Sequence, residues 1–345
     1  MQFDLKENEI IEEIQKKNYK RIVLQFPEGL IYQGVELQRS LEKKLPECEF
    51  ILYTDYVYGA CCVDDRFTSY IQADFLIHFG HSPLIPPECL KITSMYIPVI
   101  AEIDINPLMM KINEIVDKSI QLAIVATIQY QPYLTQLKEQ LTEYSVVLPK
   151  IDPLPEGITL GCTVPPLGNE KMSVVFIGGG LFHAEAVAYN YPNNCVYSYD
   201  PRNQTLVPVS VDKIKFREIM KKKIECARNE KYIGIITSTL GRQGNQKVAD
   251  NIVQIVKNIG KIPVITYADE ISTALLDSYS EVKVWVQVAC PRLSIDWGED
   301  FRQVLITPYE AFVAFTDVSE SASLDFIPMD NWSVPAQGKW CASFN

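Results

Sequence analysis

Three cysteines of this chain have side chains suited to holding iron and sit in comparable local settings. Cys61 lies in Tyr58-Gly59-Ala60-Cys61-Cys62-Val63-Asp64-Asp65, Cys162 in Leu160-Gly161-Cys162-Thr163-Val164-Pro165, and Cys290 in Val286-Gln287-Val288-Ala289-Cys290-Pro291-Arg292. Each falls in a loop at a predicted strand end, beside Gly or Pro. Thiolates are the ligands of iron–sulfur clusters, and a cubane held by only three of them leaves one iron open to an exogenous ligand. The separations, 101 and 128 residues, carry no spacing signature. A buried cysteine is ordinarily a small hydrophobe, so position rather than spacing singles out this trio for one cluster. Cys62 should point away from the side that Cys61 faces and serve packing. Cys48, Cys89, Cys195, Cys226 and Cys341 lack the repeated setting and read as structural.

The elements that must position these thiols alternate in type. Asp4 and Glu7 open a leading helix over residues 4–17, with Ile10, Ile11 and Ile14 as its apolar stripe. A strand at 21–26, a helix from Ile31 to Leu45, a strand at 50–53, the Cys61 loop, a short helix capped by Asp64 and a strand at 75–79 follow. Asp65 is expected to charge the first turn of that helix beside Asp64. The order returns with a strand at 122–127, a helix marked by Leu134, Leu137, Leu141 and Tyr144, and a strand at 173–177. It returns again with strands at 232–237, 263–266 and 282–286, and a helix carrying Val248, Ile252, Ile255 and Ile259 before a Gly260 cap. Such alternation predicts α/β architecture: three similar domains, each a small parallel sheet flanked by helices, arranged around a central cluster site. The domains are read as 1–102 (Cys61), 103–205 (Cys162) and 206–318 (Cys290), with a C-terminal tail at 319–345 wrapping the surface.

A second chemical feature is the loop Ser238-Thr239-Leu240-Gly241-Arg242-Gln243-Gly244-Asn245, between a predicted strand and helix. Gly241 and Gly244 permit close backbone approach, the helix start offers N–H donors, and Arg242 adds a fork that matches a carboxylate. An amino-acid-like ligand would suit it, and a plain glycine-containing connection is the bland reading. Gly178-Gly179-Gly180 has neither common phosphate-loop spacing. His78, His81 and His183 could act as bases, although a histidine near a strand end is ordinarily a hydrogen-bonded structural residue.

Composition narrows the partners. Over 345 residues the formal charge is −11, which argues against direct nucleic-acid binding or an anionic membrane surface. The charged N-terminus has no apolar core of a signal segment, and no apolar run reaches the roughly 18 residues of a membrane-spanning helix. A cytoplasmic chain is expected, in which nine cysteines are thiols or metal ligands rather than disulfides.

Taken together and in order, Tyr58 to Asp65, His78-Phe79-Gly80-His81-Ser82, Thr127-Ile128-Gln129, Leu160 to Thr163, Thr239 to Asn245, Val286 to Trp297 and Thr307-Pro308-Tyr309-Glu310 resemble the diphthamide biosynthesis family. Within it they are similar to the eukaryotic-type subunit 1 of 2-(3-amino-3-carboxypropyl)histidine synthase. The resemblance implies that Cys61, Cys162 and Cys290 hold a 4Fe–4S cluster whose open iron binds S-adenosylmethionine, with Gln129, Gly241, Arg242, Gln243 and Gly244 as contacts of that co-substrate. It implies a radical transfer of the 3-amino-3-carboxypropyl group to a histidine of elongation factor 2. A paralogous subunit 2 as heterodimer partner and a small metal-binding electron donor are implied as well. Gly179-Gly180-Leu181-Phe182-His183 departs from the Asp-Gly-Arg-Phe-His of the pattern, so no Asp or Arg role carries over there. The competing readings are a non-catalytic cluster-binding partner of the same complex and a metal-free three-domain ligand-binding protein.

Overall fold

The computed structural model describes residues 3–55, 57–168, 170–317 and 329; the tail proposed at 319–345 and Cys341 otherwise lie outside them. Thirteen strands form three sheets among the described residues. The first has β1 (Arg21–Gln25), β2 (Glu49–Tyr53), β3 (Phe75–Phe79) and β4 (Ser94–Ile97) in the order β2-β1-β3-β4. The second has β5 (Leu122–Ala126), β6 (Val146–Val147), β7 (Ser173–Ile177), β8 (Cys195–Asp200) and β9 (Thr205–Val209) in the order β6-β5-β7-β8-β9. The third has β10 (Tyr232–Ser238), β11 (Ile262–Ala268), β12 (Val284–Val288) and β13 (Val304–Ile306) in the order β11-β10-β12-β13. One plan recurs: the second strand lies outside the first, and the third and fourth continue on its other side. All pairings in the first and third sheets are parallel.

Parallel strands need crossovers, and those crossovers cover both sheet faces, so the central strands read as nearly continuous apolar runs. β3, β5, β7 and β12 are buried at every position. The chain divides into two compact units. One comprises the described residues up to Thr159 with Ile177–Gly179 and Tyr199–Leu206; the other comprises Leu160–Phe176, Gly180–Ser198 and the described residues from Val207 onward. In the first unit Ile10 and Ile14 of the leading helix join Ile22, Leu24, Phe26, Leu37, Leu41, Phe75, Ile77 and Phe79 in one core. The Phe26 and Phe79 rings stack there at 3.9 Å. In the second unit Val248, Ala249, Ile252, Val253 and Val256 turn one face of the helix Gln246–Asn258 onto Ile233, Ile235, Val284, Val286 and Val288. That helix stops before Gly260, whose φ of +77° only glycine adopts without strain.

Several elements differ from the sequence reading. The leading helix begins at Glu7, because Asp4 accepts the Lys6 N–H and Lys6 itself is left-handed. The last apolar strand is shifted from 282–286 to β12 at 284–288, since Val282 packs in the core from the turn before it. Helices Asn106–Ile115, Phe182–Asn190 and Pro308–Phe315 and strands β4, β6, β8, β9 and β13 add to the predicted set. A charged segment before the third sheet forms the helix Lys213–Asn229, N-capped by Asp212 on the Lys215 N–H.

Candidate cluster site

Each of the three singled-out cysteines lies in a connection that follows a strand, Cys290 closely and Cys61 and Cys162 at greater distance. Cys61 is in the 3-10 turn Ala60–Cys62 that follows β2. Cys162 is in the connection from β6 to β7, in a turn closed by the Leu160 N–H donating to the Thr163 carbonyl at 2.9 Å. Cys290 is the residue before the helix Pro291–Asp296, two residues after the end of β12. All three are half-buried, and none of the eight described cysteines is in a disulfide. Burial pushes the Cys290 thiol up from its ordinary pKa, while the Arg292 and Leu293 backbone N–H groups aimed at its sulfur favour the thiolate.

Cys62, the neighbour expected to pack, is 1% exposed. Its sulfur accepts the Tyr58 N–H at 3.3 Å and lies 4.0 Å from the Cys61 sulfur. The Cys61 contact, followed by the Gly59 and Tyr58 N–H groups, lowers its pKa to about 7 against the cost of burial.

Below the Cys61–Cys62 turn runs a buried polar chain. Gln25, the last residue of β1, donates its amide Nε2 to the Cys62 carbonyl at 2.7 Å, and its Oε1 accepts the Asp64 N–H at 3.3 Å. Both backbone partners fix which end of the amide is which. The same Oε1 therefore accepts from Nδ1 of His78 at 2.8 Å. His78, fully buried and held neutral by its lost hydration, then offers Nε2 as an acceptor to Nδ1–H of His81 at 3.1 Å. Burial likewise depresses His81, to about 4. Asp64 completes the turn: its carboxylate accepts the Phe67 N–H at 2.8 Å, capping the helix Asp65–Tyr70 as expected, and the Tyr53 hydroxyl at 2.9 Å. Asp65 lies in the first turn of that helix, as expected, and is fully buried, accepting the Lys91 N–H at 2.6 Å.

The third sheet repeats the amide device. Gln287, the penultimate residue of β12 and fully buried, donates Nε2 to the Cys290 carbonyl at 3.0 Å and to Ser294 Oγ at 3.0 Å. Neither Gln25 nor Gln287 is picked out by the sequence reading, although each is a lone amide closing an apolar strand, and a buried amide must find partners.

The glycine-containing loop after β10 is shaped by close packing. A Cβ on Gly244 would stand 2.0 Å from the Ser238 carbonyl oxygen, so no other residue fits without moving backbone. Asn245 caps the helix Gln246–Asn258 through the Lys247 and Val248 N–H groups. Gly241 has a φ of +47°, and Arg242 and Gln243 are half-buried beside it. Gln129 sits in the 3-10 turn Ile128–Tyr130 after β5, its carbonyl accepting the Ala101 N–H at 3.1 Å. His183 lies between aromatic rings, 5.6 Å from Phe176 and 5.4 Å from Phe182.

Among the described residues no three His, Cys, Asp or Glu side chains close around a point as ligands of a single ion do. A cubane asks for something else, since each of its thiolates binds a different iron. Soft thiolates in the connecting turns, with N–H groups directed at one sulfur, match that donor chemistry and not that of a hard cation.

The architecture so defined is a three-sheet α/β protein whose candidate metal-binding thiols sit in connections that follow strands. Residues 26–325 match the family model of diphthamide synthesis proteins, and the chain belongs to that family. It is 37% identical over 334 residues to 2-(3-amino-3-carboxypropyl)histidine synthase subunit 1 of Mus musculus, covering 96% of this chain and 75% of that protein. It is 38% identical over 330 residues to the same subunit of Homo sapiens, covering 95% and 74%. Among solved structures, Dph2 from Pyrococcus horikoshii matches with a TM-score of 0.78 and 26% identity over 92% of this chain and 93% of that one, including the structure with a 4Fe–4S cluster.

Proposed function

We propose that this chain is the cluster-bearing subunit of the first step of diphthamide synthesis. It transfers the 3-amino-3-carboxypropyl group of S-adenosylmethionine to a histidine of elongation factor 2, beside a paralogous subunit and an external electron donor. The observation that carries this reading is the placement of Cys61, Cys162 and Cys290 in turns of the connections that follow strands. They lie in a chain similar in fold and sequence to a protein known with a 4Fe–4S cluster. These three thiolates would hold the cluster, which when bound supplies an open iron for the methionyl group and the electron that breaks a carbon–sulfur bond.

The remaining roles belong to the chain's own groups. Gln25 and Gln287 hold the carbonyls of Cys62 and Cys290, so the cysteine turns keep their shape when the thiols are ligated. The loop around Gly241, Arg242, Gln243 and Gly244, with Gln129 as a further contact, would receive the co-substrate, the Arg242 fork suiting its carboxylate.

Product analysis tests the reading. The chain, reconstituted with iron and sulfide without oxygen and reduced with dithionite, is incubated with S-adenosylmethionine, alone and with the paralogous subunit. Methylthioadenosine together with an aminocarboxypropyl-derived product is expected, above an unreduced control. Production of 5′-deoxyadenosine would refute the proposed bond cleavage, and absence of turnover in both mixtures would leave a non-catalytic cluster-binding subunit as the better description.

A further inference from the structure

Arg292 is among the largest fully buried side chains of the protein, with 0% of its surface exposed. A guanidinium has five N–H donors, and burying them unsatisfied is costly. Here every one has a partner. Nε donates to both carboxylate oxygens of Asp296, at 3.0 and 2.9 Å. Nη1 donates to the carbonyl of Gly161 at 3.3 Å and to the carbonyl of Phe182. Nη2 pairs with Glu185 at 3.0 Å and with Asp296 at 2.8 Å. The guanidinium plane also lies 4.0 Å from the centre of the Phe182 ring. Gly161 packs against the same ring, and a Cβ there would come within 1.8 Å of a Phe182 carbon.

These contacts join three stretches far apart in sequence: the turn of Cys162 through Gly161, the helix start at Phe182 and Glu185, and the helix that begins one residue after Cys290. We infer that Arg292 is a positioning residue for the cluster, fixing the Cys162 turn relative to the Cys290 helix by its five-donor fork and its stack on Phe182. The inference rests on the reading of Cys162 and Cys290 as ligands. Lysine cannot substitute: it keeps the charge, but it has three donors on one nitrogen and no plane to stack. A buried cation with two carboxylates could serve stability alone, and such a role would leave the spectrum and potential of a bound cluster unchanged once the variant folds.

The test compares wild type, Arg292→Lys, Asp296→Asn and Cys48→Ala after anaerobic reconstitution. Iron and sulfide content, electron paramagnetic resonance and reduction potential are measured, and alkylation of each cysteine in the metal-free proteins is followed by mass spectrometry. Arg292→Lys should hold iron on the order of 10-fold more weakly, the usual consequence of removing an outer partner of a metal ligand. Asp296→Asn should move in the same direction with a smaller loss, and it decides the matter if Arg292→Lys does not fold. Both should expose Cys162 to faster alkylation with Cys226 unchanged, and Cys48→Ala should match wild type throughout. Wild-type iron affinity, spectrum, potential and Cys162 labelling in the folded variants would overturn the inference while leaving the ligand assignment standing. A wild-type chain that takes up no iron would remove both.

Discussion

At the scale of single residues, the difference between adjacent Cys61 and Cys62 shows how a pair of identical side chains can take different tasks. Cys62 is enclosed, accepts a backbone N–H through its sulfur and has its own carbonyl held by Gln25; Cys61 keeps part of its surface open. If Cys61, Cys162 and Cys290 are the ligands, replacing any one by Ala leaves a cubane with two protein thiolates, and reconstituted iron should fall steeply, the triple variant retaining none. Cys226→Ala should keep the wild-type iron content, because that cysteine lies within the helix Lys213–Asn229 and not in a connecting turn. Colorimetric iron and sulfide assays on the anaerobic proteins check this, and full iron in the triple variant would sink the assignment. The polar residues that hold the cysteine turns were harder to foresee. Gln25, His78 and Gln287 stand inside apolar runs, where a lone polar letter interrupts a strand pattern without naming its partner. Arg292 lies within the distinctive Gln287-to-Asp296 segment, yet only the fold brings Gly161 and Glu185 to it.

At the scale of elements, the order of strands and helices was legible because the chain writes it in period. Five-residue apolar runs such as Phe75–Phe79 and Ser173–Ile177 have the length and content of buried parallel strands, and their limits agree with the structure. What escaped was short or atypical. β6 has two residues, β13 three, and β9 is largely exposed with Pro208 inside it, so none produces a strong pattern. The helix Phe182–Asn190 was hidden because its alanines are buried on nearly all sides, which erases the apolar stripe. The repeated strand order was also out of reach, since sequence alternation gives the number of units but not which strand lies at the edge. Close packing at one element boundary gives a direct prediction. The Gly161 backbone touches the Phe182 ring so closely that Gly161→Ala must push the ring off the Arg292 guanidinium or move the Cys162 turn. Overpacking of this kind costs about 1–3 kcal/mol. The urea midpoint should fall accordingly and cluster retention should fall with it, whereas an unchanged midpoint would mean the turn yields freely.

For the whole molecule, the scarcity of histidine makes acid stability unusually readable. The chain has three imidazoles among 345 residues, and two of them, His78 and His81, are neutral in the fold because burial lowers their pKa, His81 to about 4. In the unfolded chain both titrate near the ordinary value of about 6.5. Between those limits the unfolded state binds more protons than the folded one, so stability rises with pH there. Their contribution is fully present above pH 6.5 and is lost as the pH falls from 6.5 toward 4, by up to about 1.4 kcal/mol per pH unit for each site. Carboxylates whose pKa the fold lowers, such as Asp4 and Glu143, are exposed and act mainly below that window. Urea midpoints of the metal-free protein should therefore decline between about pH 6.5 and 4.5. His81→Asn should flatten part of that decline, because it removes one of the two protons the unfolded state gains, even if it lowers stability at neutral pH. A decline in that variant as steep as the wild type's would show that His81 titrates alike in the folded and unfolded chain and is not held neutral by its burial. The same experiment bears on function, since Gln25 reaches the Cys62 carbonyl from this chain. A fold that protects His78 from protons therefore also protects the shape of the Cys61 turn, down to the pH at which the whole domain begins to loosen.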